Sequence, residues 1–184
     1  MKKFLVVLMA MLLPLVSFAQ QEDAKKQMTK FEEFTSKTGS IIKFTDVSLS
    51  RMSLVYGSLE TGIRILKGSP NAYFYRLEQE ETSSRLGHIA MIEYSDLVEI
   101  NKALVKLSSE VESDIAANPD YLENKFRTVD GFEVGYFISK GKVNWYLKLE
   151  RYSNSTVFVK SQDIVIEGFK NAQAKIEELK AAGN

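Results

Sequence analysis

From Ser40 onward the apolar residues keep two rhythms in turn, one of period two and one of period near 3.6, and these predict strands and helices respectively. Residues 41–49 and 62–93 read as strand-rich. Ile63 and Ile65 alternate with Arg64, and Gly68-Ser69-Pro70-Asn71 is a strong turn signal. Strands over 72–78 and 85–93 follow, separated by the polar stretch 79–84. The rhythm then changes. Leu97, Ile100, Leu104, Leu107, Val111 and Ile115 form one helical stripe that Asn118-Pro119 ends. Asp96, with Glu99 three residues later, is a start of the capping-box kind.

The second half repeats the plan. Strands over 122–129 and 132–139 meet at Asp130-Gly131, a hairpin signal, and Lys140-Gly141 turns into a strand over 143–152. Ser153-Asn154 turns into 155–160. A helix from Asp163 carries Val165, Phe169, Ala172, Ile176 and Leu179 on one stripe. Two local matches accompany the repeated order. Residues 72–78 align with 144–150, keeping two aromatics, an apolar residue, a base, Leu and Glu in order, and each helix start carries an Asp, at 96 and 163. One reading is an internal duplication with half-repeats 40–119 and 120–184. The other is coincidence, because strands and caps draw on a small vocabulary. Either way the pattern predicts an α+β fold with antiparallel sheet and two long helices, each covering a sheet face.

The period of two sorts the strand residues into faces. Tyr73, Tyr75 and Leu77, with Trp145, Leu147 and Leu149, are the expected core. Phe74, Arg76 and Glu78, with Tyr146, Lys148 and Glu150, lie on the opposite face and repeat aromatic, base, acid. A solvated face with cross-strand ion pairs of ~0.2–1 kcal/mol each would produce this pattern. So would a contact surface, since exposed aromatics beside Arg are typical interface anchors. Phe74, Arg76, Tyr146 and Lys148 are the candidate ligand or partner contacts.

The N-terminal segment reads as an address. Lys2-Lys3 precede an apolar run over 4–13, Pro14 breaks it, and Ser17 and Ala19 place small residues where a signal peptidase reads. Residues 1–19 are therefore expected to be a signal peptide cleaved before Gln20. An uncleaved anchor would need more apolar length to cross a bilayer of about 30 Å. Residues 20–39 are a polar leader or a short helix, in which Met28, Phe31 and Phe34 recur every three residues. Residues 40–184 then form a single domain. The Lys-Lys start and compact apolar run resemble bacterial export leaders, which implies a periplasmic or secreted protein.

Composition narrows the chemistry. The 184 residues are 45% hydrophobic and 26% charged, with one histidine and no cysteine. A disulfide scaffold, a thiolate metal site and a cysteine-linked lipid anchor are thereby excluded. Removing residues 1–19 takes the bases from 24 to 22 against 24 acids, a net charge of −2 that argues against nucleic acid as a partner. No apolar run after the leader is long enough to span a membrane. His88 shares parity with Leu86, Ala90 and Ile92, which suits a hydrogen-bonded structural role better than a catalytic base, and no Gly-x-Ser-x-Gly elbow accompanies it. Phosphate-binding glycine loops are absent, and Asp120, Glu123, Asp130 and Glu133 lack calcium-loop spacing. No metal or cofactor is expected.

The doubled strands-then-helix order loosely resembles the TATA-binding-protein-like and beta-lactamase-inhibitor-like architectures, without a functional motif of either. The expected function is an exported, non-enzymatic binding protein that engages an envelope protein or small ligand through a sheet face. The alternatives are a small hydrolase or lyase working through those four carboxylates, and a structural envelope component.

Overall fold

A computed structural model of the chain describes residues 28–36, 39, 41–81, 87–152 and 154–183. The expected signal peptide, the polar stretch from 82 to 86 and Ser153 fall outside the described residues. The first half contains α1 (Lys30–Thr35), β1 (Lys43–Ser48), β2 (Met52–Ser53), β3 (Ser58–Lys67), β4 (Ala72–Gln79), β5 (His88–Glu93) and α2 (Tyr94–Ala116). The second contains β6 (Tyr121–Arg127), β7 (Glu133–Ser139), β8 (Lys142–Lys148), β9 (Thr156–Val159) and α3 (Gln162–Ala181).

All strand pairs are antiparallel. The first sheet has the order β1-β3-β4-β5, with β2 also paired to β3, and the second has the order β6-β7-β8-β9. Each sheet is followed in the chain by one long helix, of 23 and 20 residues. With β2 set aside, the strand orders match position for position, consistent with a strands-then-helix duplication. The sheets meet where Leu54 bridges Val159 and the Val55 N–H donates to the Phe158 carbonyl at 2.8 Å.

Both helices pack on the same side of the joined sheets, and they do not stay on their own halves. α2 touches β4 and β5 but also β6, β7 and β8, while α3 touches β9 but also β2, β3 and β4. One hydrophobic cluster therefore spans the halves, with Ile63, Tyr75 and Ile100 from the first and Val134, Trp145 and Phe169 from the second. The six expected core residues of β4 and of the β8 region, Tyr73, Tyr75, Leu77, Trp145, Leu147 and Leu149, are all buried. The α3 stripe is buried throughout. On α2, Leu97, Ile100, Leu104 and Leu107 are buried and Val111 packs partly, but Ile115 is 39% exposed. There polar contacts replace apolar ones: Tyr136 donates to Asp114 Oδ2 at 2.6 Å and Asn124 Nδ2 donates to Glu110 Oε2 at 2.6 Å.

Several boundaries differ from the pattern for local reasons. α2 begins at Tyr94, because the Glu93 carboxylate accepts from the Ser95 N–H at 2.8 Å and caps the helix ahead of Asp96. The Asp130-Gly131 turn is longer than two residues. Thr128 N–H donates to the Phe132 carbonyl at 2.9 Å, and the strands stop at Arg127 and Glu133. Lys140-Gly141 is the two-residue turn, with φ of 52° and 69° at its central residues, as a type I′ hairpin requires. Within residues 20–39, Lys30–Thr35 form a short helix. Thr29 and Glu32 form a reciprocal capping box, with Glu32 N–H donating to Thr29 Oγ1 at 3.1 Å and Thr29 N–H to Glu32 Oε2 at 2.8 Å.

Candidate functional site

The sheet face away from the long helices does not have the exposure that its alternation predicts. Phe74 is 0% exposed. It lies under α1, with the rings of Phe31 and Phe34 edge-on at 5.3 and 5.9 Å. Arg76 pairs with Glu78 beside it in β4. Tyr146 is 5% exposed, between Phe137 and its cross-strand neighbour Phe158 on the second sheet, and its hydroxyl donates to Glu123 Oε1 at 2.5 Å. Lys148 is half-buried opposite Glu133 and Thr156. The expectation of exposed aromatics at 74 and 146 is thus corrected. Among the described residues, no hydrogen bond, ion pair or ring contact joins the Phe74–Arg76 pair to the Tyr146–Lys148 pair; they sit on separate sheets.

The four carboxylates fall in three places. Glu123 and Glu133 share Lys125, at 3.4 and 3.0 Å, and Arg127 adds a second cation 3.4 Å from Glu133. Asp120 is exposed beyond the end of α2. Asp130 stands in a different place, against α1. The hydrogen bond from Tyr146 and the nearby Lys125 ammonium hold Glu123 below the ordinary carboxylate value of 4.5, against the opposing effect of burial. Burial and the Glu123 carboxylate push the Tyr146 phenol up. A depressed carboxylate stabilises the fold fully above its unfolded pKa, and that stability is lost as pH falls through the folded value. Urea midpoints measured from pH 6 down to pH 3 should therefore fall less steeply below about pH 4.5 for Glu123→Gln than for the wild type. Parallel profiles would remove this pair from the acid response.

Asp130 opens onto a cleft of about 530 Å³ built from segments far apart in sequence. α1 and its cap supply one wall through Thr29, Phe31 and Glu32. Ile89, Ala90 and Met91 of β5 form the floor. The opposite wall comes from the turn after β6, with Asp130 and Phe132, and from the segment after β8, with Leu149, Glu150, Arg151 and Tyr152. Gly131 lets the last two segments approach: its φ is +92°, and a Cβ there would stand 2.5 Å from the Arg151 Cβ.

Polar anchors hold α1 in place. Its first N–H, on Lys30, donates to Asp130 Oδ2 at 3.0 Å, and the Lys30 ammonium reaches Asp96 Oδ1 at 2.8 Å and Glu93 Oε2 at 3.7 Å. Burial raises the Asp130 pKa, a rise that the Lys30 amide opposes. Across the cleft Glu150 is the organising group. Its Oε2 lies 3.2 Å from His88 Nδ1, and its Oε1 accepts the Ile89 N–H at 3.2 Å. His88 is thus a hydrogen-bonded partner of Glu150.

Sequence reasoning did not single out Phe31, Ile89, Met91 or Arg151 as a group, because they converge only in three dimensions. One signal was available: Thr29-x-x-Glu32 ahead of spaced aromatics marks the start of α1. Among the described residues, no group of three or more His, Cys, Asp or Glu side chains is placed to hold a metal ion, and no helix is long and apolar enough to cross a membrane. Set against family models, curated proteins and solved structures, the chain matches none of them.

Proposed function

We propose that this is an exported binding protein, and that its partner or ligand is held in the cleft between α1, β5 and the two loops of the second half. The reading rests on one observation. The cleft, at about 530 Å³, combines an apolar interior of Phe31, Ile89, Met91, Phe132 and Leu149 with a charged rim of Asp130, Glu150 and Arg151. Volumes of roughly 300–1,000 Å³ with few, convergent polar groups are those of ligand sites. Phe74 supports this site from below rather than touching the ligand, since its ring carries the α1 wall.

Ile89 is 45% exposed and faces the cleft, so a larger side chain there fills the site without entering the core. Native mass spectrometry of the protein isolated gently from its source cell should show an added mass of on the order of a few hundred daltons or more. Ile89→Trp should lose that mass while keeping the wild-type thermal midpoint. Bound mass retained by Ile89→Trp, or none on the wild type, would overturn the assignment.

A further inference from the structure

We propose that the cleft takes an extended peptide segment of a partner protein, paired through its backbone to the edge of β5 that faces the cleft. The inference rests on the cleft being the binding site. β5 pairs with β4 along one edge, and among the described residues no strand pairs with the other. In an antiparallel ladder, backbone groups alternate between the two edges. Ile89, opposite Glu78, turns its N–H away from β4 and onto Glu150. Met91, two residues on, must present its N–H and C=O to the same side. This row of backbone groups runs along the cleft floor.

The Glu150 oxygen on the Ile89 N–H occupies the position that the carbonyl of an added strand would take. Pairing of this kind supplies affinity through main-chain bonds, with side-chain pockets adding preference. The walls favour a single extended segment over the folded edge of a second copy, because α1 stands on one side and the 130–132 and 149–152 segments on the other.

Side chains of an added strand alternate between two faces. One set meets Ala90, Phe132 and Leu149, and the other meets Phe31 and Met91, so both faces select apolar residues. Rim acids Glu32, Asp130 and Glu150 outnumber the bases Arg64 and Arg151, and Arg64 is held by Asp46 through two bonds of 2.8 and 2.7 Å. The segment expected is a short apolar run flanked by Lys or Arg.

The test is a phage-displayed library of random linear dodecapeptides, panned on the full chain, with the best peptide resynthesised carrying N-methyl groups on alternate amides. The expected result is enrichment of apolar runs with basic flanks. Binding should be lost with Ile89→Trp and weakened at least ~10-fold by N-methylation, which removes donors and leaves side chains in place. Absence of enrichment would overturn the proposal. Loss with Ile89→Trp but indifference to N-methylation would overturn strand pairing and leave the cleft as a side-chain site. Binding unaffected by Ile89→Trp would place the peptide elsewhere and count against the cleft itself.

Discussion

Phe169→Ala is expected to lower the free energy of unfolding by about 3–5 kcal/mol, the range for truncating a fully buried Phe. The side chain is 0% exposed. Its ring lies 5.3 Å from Tyr75 in an edge-on arrangement and 5.9 Å from Phe132, so it touches both halves of the chain at once. Removing it opens a cavity where α3 crosses from its own sheet to the first. Neighbours there belong to strands and to a 20-residue helix, which limits collapse into the space. The measurement is urea unfolding followed by far-ultraviolet circular dichroism and by Trp145 fluorescence. Trp145 is the only tryptophan and lies on the second sheet, 5.1 Å from Tyr136, so its emission reports that half. Because the core is shared, the two probes should shift together. A fluorescence transition unaffected by Phe169→Ala would show that the halves unfold independently. Val105→Ala, at a position 63% exposed on α2, is the control and should change stability by less than about 0.5 kcal/mol.

Phe74→Ala is expected to cost about 3 kcal/mol, at the lower end of the same range. Phe74 has no part in the main core. It buries its ring between β4 and a six-residue helix, and edge-on aromatic pairs of this kind add ~0.5–1.5 kcal/mol beyond the buried area. α1 has no buried residue of its own, so its attachment depends on this ring and on the Lys30 and Asp130 contacts. Phe34→Ala, at a half-exposed position, should cost under about 1 kcal/mol. The variant also separates two roles for Phe74. A contact residue on an open face would lose partner binding with its thermal midpoint intact. A support residue beneath α1 loses midpoint and cleft together. A stable Phe74→Ala protein with an undisturbed midpoint would show that α1 does not depend on this ring.

The helices were legible because each carries an uninterrupted stripe near period 3.6, and a stripe of that length finds a sheet face whatever the connection. Strand faces were legible on the core side for the same kind of reason. Tyr73, Tyr75 and Leu77 recur at every second position of β4, and only one face of that strand can meet α2 and α3. Helix capping is less local. Asp96 and Glu99 fit the capping signature, but Glu93 takes the Ser95 amide and leaves Asp96 to Lys30, a partner 66 positions away. No local pattern carries a pairing at that distance.

The outer face shows the same division more sharply. Alternation places Phe74, Arg76, Tyr146 and Lys148 opposite the core, and that placement is correct. Alternation says nothing of what else lies on that side. A capped helix of six residues is too short to be stable by its own hydrogen bonds, so its position is set by Phe74, Asp96 and Asp130, which lie far along the chain. Tyr146 is covered by Phe158, which joins it only through the pairing of β8 with β9. Periodicity and turn chemistry, which act over a few residues, were sufficient for the elements and their apolar faces. Burial of the outer aromatics, the edge of β5 that no described strand pairs with, and the cleft beside it depend on contacts between distant segments, and only folding brings those together.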